Sequence, residues 1–190
     1  MFVLGIDPGL SRCGYGLVGR PVDRTGSLRA HAAGVIETDP ALPLPTRLHA
    51  LQEELRQLLG DLRPQAVAVE RVFFQVNART AMSVGQASGL ALAAAAEHGC
   101  EVAQYTANEV KQAVVGYGGA SKDQVQRMVT ALLDLAAVPR PPDVADALAL
   151  AVCHLTAQRL RRAMADAIGA GVGSGESSAG GGRGGEGGHR

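Results

Sequence analysis

A chain of 190 residues, 46% hydrophobic with a mean hydropathy of +0.07, is long enough for one α/β domain with its own core and short for two. No apolar run approaches the ~20 residues of a bilayer span, and neither a basic-then-apolar leader nor a paired cysteine spacing occurs, so a cytoplasmic protein without a membrane partner is expected. Eighteen basic and eighteen acidic residues cancel, so a nucleic-acid partner has to be argued from local charge.

The first element is FVLGID, residues 2–7, an apolar strand running into an Asp-Pro-Gly turn, and GYGLVG (14–19) reads as the second strand. After the polar RPVDRTGS, LRAHAAGVIET (28–38) makes a third; strands this closely spaced predict an antiparallel meander. Leu48, Leu51, Leu55, Leu58 and Leu59 then recur at helical spacing between Pro45 and Leu62. AVAVE (66–70) is the unbroken apolar run of a parallel strand buried on both faces.

Residues 77–97, rich in Ala, Gly and Ser and opened by Asn77 as a cap, predict a helix. Its small side chains suit close packing within the chain or across a dimer, with Met82, Val84, Leu90 and Leu92 as interface candidates. CEVAQYT (100–106) is a fifth strand; TANEVKQAVV (106–115) and SKDQVQRMVTALLDL (121–135) are helices separated by GYGGA. VADALALAVCHLTAQRLRRA (144–163) is a last helix entered through PRPPD. The order predicts a mixed five-stranded sheet with helices on its faces. A domain over residues 1–168 and a disordered Gly- and Ser-rich tail over 169–190 are expected.

Three places hold acids that a core would not choose. Asp7 ends the first strand ahead of Pro8 and Gly9, where a sharp turn lets a ligand approach; as a plain turn residue it needs no ligand. Glu70 closes AVAV, and a buried strand rarely ends on an acid without a partner, for which the adjacent Arg71 is one candidate. Asp143 and Asp146, three apart, share one face at the start of an apolar helix. They read equally as an N-cap and as a complement to the helix dipole.

The set says more than its members. If the first and fourth strands are neighbours, Asp7 and Glu70 lie side by side, and a helix on that face brings Asp146 to them. Gathered carboxylates raise one another's pKa unless a cation neutralises them. Oxygen donors without nitrogen or sulfur partners suit Mg²⁺ or Mn²⁺, and two such ions about 4 Å apart serve phosphodiester hydrolysis. No Ser/His/Asp arrangement or Walker-type loop competes. Among the basic residues all but Lys111 and Lys122 are arginine, and two of the three phenylalanines, Phe73 and Phe74, stand just past Glu70.

Four segments, GIDPGLSRCGYGLV, AVERVFFQVNARTAMSVGQASG, YTANEVKQAVVGYGGASKDQVQRMV and PPDVADALALAVCH, together resemble the RuvC family, the crossover junction endodeoxyribonucleases that resolve Holliday junctions. The resemblance runs from about Met1 to about Arg162 and implies a ribonuclease H-like fold. It further implies a homodimer that nicks two opposed strands of a four-way DNA junction symmetrically, with two Mg²⁺ per site for which Mn²⁺ substitutes, leaving 5′-phosphate and 3′-hydroxyl ends. Partnership with the RuvA–RuvB branch-migration complex is implied as well.

On the family's pattern the acidic positions fall on Asp7, Glu70, Asp143 and Asp146, although some relatives carry His where this chain has Asp143. Phe73 resembles the family's base-stacking aromatic, with Phe74 beside it; a satellite core under the loop would explain the same two rings. Lys111 and Lys122 match basic residues near the scissile strand. Arg79 and Arg127 are candidate backbone contacts, read equally as solvated helix arginines. Three readings compete: an actin-like or sugar-kinase ATPase, which needs a second such half that this length cannot supply; a non-catalytic junction-binding module, which has no use for four converging acids; and a related ribonuclease H-like nuclease acting on another substrate.

Overall fold

The structure, a computed structural model, describes residues 1–19, 27–71 and 78–172, the side chains of 78–80 and 169–172 excepted. Its elements are β1 (Phe2–Asp7), β2 (Arg12–Gly19), β3 (Arg29–Glu37), α1 (Leu44–Leu62), β4 (Ala66–Glu70), α2 (Ala78–Glu97), β5 (Glu101–Tyr105), α3 (Ala107–Val115), α4 (Lys122–Leu132) and α5 (Pro142–Val172). The five strands form one sheet in the order β3-β2-β1-β4-β5. β1, β2 and β3 pair antiparallel, β4 lies parallel to β1, and β5 lies parallel to β4. This is the expected ribonuclease H-like arrangement.

The period of two along each strand divides the core into two layers. Leu4 and Ile6 of β1 and Val67 and Val69 of β4 face α1 and α2, where Leu51, Leu55, Leu59, Ala87 and Ala91 cover them. Val3, Ala66 and Ala68 face the opposite layer, built from α3, α4 and α5. All four large side chains on the first face are fully buried, each worth about 1.5–3 kcal/mol relative to exposure.

The second face is lined with small residues, and this sets how closely α5 approaches. A Cβ on Gly5 would run into the carbonyl oxygen of Ala147, and one on Gly14 into that of Asp143. A Cβ on Gly16 would lie 2.7 Å from Cδ2 of Leu148. The first turns of α5 therefore rest directly on the backbone of β1 and β2.

Both ends of α5 differ from expectation. α5 begins at Pro142 rather than Val144, so Asp143 stands inside its first turn and not at its N-cap. Proline suits that opening because the N–H it lacks would be unsatisfied there anyway. The helix also continues to Val172, past the expected start of the tail at Gly169; its Ala-rich sequence sustains it. Residues 173–190 lie outside the described residues.

The chain divides into a unit over Met1–Ala157 and another over Gln158–Arg190. The described part of the second is the end of α5, on which Leu160, Met164 and Ile168 are exposed.

Gly14→Ala should lower stability by about 1–3 kcal/mol through overpacking, about 2–4 °C in Tm per kcal/mol for a chain of this size. Gly60→Ala, in an exposed helical position with open space around the added methyl, should instead gain about 0.5–1 kcal/mol. Thermal melts of the two variants beside the unmutated protein check the close approach; equal melting of Gly14→Ala and the parent would contradict it.

Candidate active site

The same period of two that fills the core places the acids. Asp7 follows Val3 and Gly5 on the α5 side of β1, and Glu70 follows Ala66 and Ala68 on the α5 side of β4. In the parallel β1/β4 ladder the last paired residues are Ile6 and Val69, so the next residue of each strand is one of these carboxylates. Asp146 arrives from α5, whose position the glycines of β1 and β2 fix.

The lysines come from the other side. Thr106 and Glu109 form a reciprocal capping box that opens α3, and Ser121 and Gln124 form another that opens α4. The first helix carries Lys111 and the second begins with Lys122. The patterns T-x-x-E and S-x-x-Q were available in the sequence as start signals.

A buried bond from side chain to side chain closes the frame. Tyr105, the register partner of Glu70 at the end of β5, has its hydroxyl 3.0 Å from Nδ1 of the fully buried His154 on α5. Arg71 N–H donates to the Tyr105 carbonyl at 2.8 Å. These contacts tie the strand end that carries Glu70 to the helix that carries Asp146.

Asp7, Glu70, Asp146, Lys111 and Lys122 line one cleft of about 380 Å³, floored by Ala107, Val110, Val125, Ala149 and Leu150. Lys122 Nζ stands 2.6 Å from Asp146 Oδ2. Asp143 does not line the cleft; its Oδ2 lies 3.7 Å from Nη2 of Arg12. Arg12 was not singled out in the sequence, because only the β2 register and the start of α5 bring it to Asp143.

Burial and the neighbouring charges push Asp7 up from 3.8 to about 7, with Asp146, Glu70 and Asp143 all raising it and Lys122 opposing. Glu70 is raised by burial first and by Asp146 second, again against Lys122. Lys122 shows the converse: burial works to lower it, and its hydrogen bond and charge contact with Asp146, helped by Asp7 and Asp143, outweigh that and raise it. The site thus holds more negative charge than its lysine neutralises.

Among the described residues no group of three or more His, Cys, Asp or Glu side chains is gathered closely enough to hold a metal ion as it stands. The donor set nevertheless fits a hard divalent cation: the acids that converge offer only oxygen, and the most enclosed, Asp7, is held near neutrality for want of positive charge.

The remaining candidates separate. Arg71 does not serve Glu70: among the described residues no ion pair joins them, and the Arg71 charge acts on Glu109. Successive strand residues point to opposite faces, so adjacency in sequence kept the two apart. Arg127 is exposed on α4, with its Nε donating to the Asp123 carbonyl at 3.3 Å. Arg79 lies on α2 with its side chain outside the described residues, and Phe73, Phe74 and Asn77 lie outside them altogether. Leu90 and Leu92 pack in part against the α1/α2 core, and of the interface candidates Met82, 65% exposed, is the most open.

The family model for crossover junction endodeoxyribonuclease RuvC matches residues 3–154. The chain is 53% identical over 155 residues to the protein of that name from Salinispora arenicola, covering 82% of this chain and 87% of the relative. To the one from Syntrophomonas wolfei it is 49% identical over 160 residues, covering 84% and 91%. Thermus thermophilus RuvC, solved alone and in complex with Holliday junction substrate, is 39% identical, with 84% of this chain and 96% of that one covered and TM-scores of 0.77 and 0.78. The yeast mitochondrial Holliday junction resolvase Ydc2, 16% identical with a TM-score of 0.57, shares the fold.

A carboxyl whose folded pKa lies above its unfolded value favours the protonated native state, so the stability it contributes is present at low pH and is lost as pH rises from about 4 towards 7. Without divalent cations the protein should therefore lose stability across that range through Asp7, with Glu70 acting in the same sense. Asp7→Asn should flatten the slope and raise Tm at pH 8 by several degrees, on the order of 1–3 kcal/mol. Mg²⁺ titrations should show apparent affinity rising from pH 6 to pH 8, since binding must displace that proton. Melts in chelator that show the same pH slope for both proteins would contradict the assignment.

Proposed function

The chain belongs to the RuvC family of crossover junction endodeoxyribonucleases, and from that premise we propose that it resolves four-way DNA junctions by paired, symmetric, Mg²⁺-dependent nicks through Asp7, Glu70 and Asp146. The observation that carries this reading is the convergence of those three carboxylates with Lys122 in one cleft. That a Holliday junction substrate is bound to the Thermus thermophilus protein supports the choice of DNA. The products are 5′-phosphate and 3′-hydroxyl ends.

The division of labour follows from position. Asp7 sits between the other acids and is the residue most strongly driven to give up its charge or gain a counter-ion. Glu70 and Asp146 flank it from β4 and α5, and Asp143 contributes its charge from beside Arg12. Bound among these oxygens, Mg²⁺, at two ions per site with Mn²⁺ as substitute, would supply Lewis-acid polarisation of the phosphodiester. Lys122 must leave Asp146 for that set to close, and its released ammonium then faces the incoming phosphate.

Lys111 holds a second phosphate of the same strand from the α3 side of the cleft. Phe73, with Phe74 beside it, stacks on an unpaired base at the crossover, and Arg79 and Arg127 contact the backbone. Two copies joined through α2, around the exposed Met82, place two such sites on opposed strands. The enzyme works in the cytoplasm with the RuvA–RuvB branch-migration complex; among the described residues no helix is long and apolar enough to cross a membrane.

The test is an end-labelled junction with a mobile core, incubated with and without Mg²⁺ beside Asp146→Asn. Paired nicks at symmetric positions are expected from the unmutated protein, falling roughly a hundredfold or more in the variant. Equal cutting by Asp146→Asn, or linear duplex cut as fast as junction, would reject the reading. Lys111→Ala should weaken junction binding and reduce its salt slope by about one.

A further inference from the structure

The loop between α3 and α4 carries an aromatic side chain for which the cutting chemistry has no use. Tyr117 is 66% exposed, whereas Tyr105 is buried, in a chain with only three Tyr, three Phe and no Trp. A ring left in water recovers none of the free energy that burial would supply, and in a DNA enzyme such a ring next to basic residues is a ready platform for a base.

The loop presents it in a fixed place. Gly116 ends α3 at φ +81, its N–H bonded to the Gln112 carbonyl at 3.0 Å and its own carbonyl accepting from Gln112 Nε2 at 3.0 Å. A turn then closes from the Ala120 N–H to the Tyr117 carbonyl at 3.2 Å. Ala120 is buried, and Ser121 caps the helix that starts with Lys122. A Cβ on Gly119 would lie 2.8 Å from Cε1 of Tyr117, so the ring rests against bare backbone while most of its surface faces solvent.

The loop also joins the two cations of the cleft. Lys111 lies one helical turn before the end of α3 and Lys122 is the first residue of α4, and both line the cleft with the acids. A strand whose phosphates are held by these two ammonium groups turns its bases away from them. Basic, aromatic and basic side chains in succession are what sequence-tolerant single-strand binding requires, because every base has a π-face.

We propose that Tyr117 is a nucleobase-stacking contact for an unpaired base of the DNA strand held between Lys111 and Lys122. The inference rests on the reading of the protein as a junction nuclease and adds a further aromatic contact to the one proposed for Phe73. Stacking carries no charge, so it contributes to affinity and leaves the salt dependence to the lysines.

The experiment measures binding of the unmutated protein, Tyr117→Phe, Tyr117→Leu and Tyr117→Ala to a four-way junction with 2-aminopurine at core positions, in chelator and over a series of salt concentrations. Cutting by each protein is followed in parallel with Mg²⁺. Leu and Ala should bind roughly tenfold more weakly and lose the 2-aminopurine quenching, Phe should match the parent, and the salt slope should be the same in all four. Parental affinity in Tyr117→Ala, or parental quenching in Tyr117→Leu, which keeps apolar bulk without a π-face, would overturn the stacking contact while parental cutting upholds the nuclease reading. Failure of the unmutated protein to bind or cut the junction would overturn both.

Discussion

The site depends on how closely α5 can approach the sheet. Gly5, Gly14 and Gly16 leave no side chain between β1, β2 and the backbone of Asp143, Ala147 and Leu148. Ala66 and Ala68 keep β4 equally low on that face. Larger residues there would lift the helix and with it Asp146, while the opposite face carries Leu4, Ile6, Val67 and Val69 and supplies most of the apolar burial. The sheet therefore divides its work by parity: one face is filled for stability, and the other is kept thin so that an acid can reach across.

That placement is electrostatically expensive. Asp7 is half-buried beside Asp146, Glu70 and Asp143, and burial and those charges push its pKa up to about 7. Lys122 relieves part of it through Asp146. Perturbation of this kind clusters at functional sites. In a chain of zero formal charge the acids Asp7, Glu70 and Asp146 are thus concentrated in one cleft that Lys111 and Lys122 also line.

The two lysine-bearing helices are packed through Val110, Val114, Val125 and Val129 into the core they share with α5, and their starting points are set locally. Each starts from its own capping box, and a glycine in the left-handed region separates them. Each capping contact contributes on the order of 1 kcal/mol, which helps fix where Lys122 begins its helix above the buried Val125 and Val129. The acids come from the sheet and from the first turns of α5, where Val144, Ala145, Ala147 and Leu148 are buried.

The sequence by itself determined the strand and helix order, the antiparallel start and the parallel β4, because periods of two and 3.6 and glycine or proline punctuation are local properties. It also singled out Asp7, Glu70, Asp143 and Asp146, since two acids end buried strands and two open an apolar helix. Only the tertiary structure decided that Asp143 lies beside Arg12 and outside the cleft lining, that no ion pair joins Arg71 to Glu70 among the described residues, and that Tyr105 is bonded to His154 across 49 positions. Those pairings depend on how β2, β5 and α5 meet in space. Sequence spacing carries no information about a contact whose partners are brought together by packing rather than by the period of a single element.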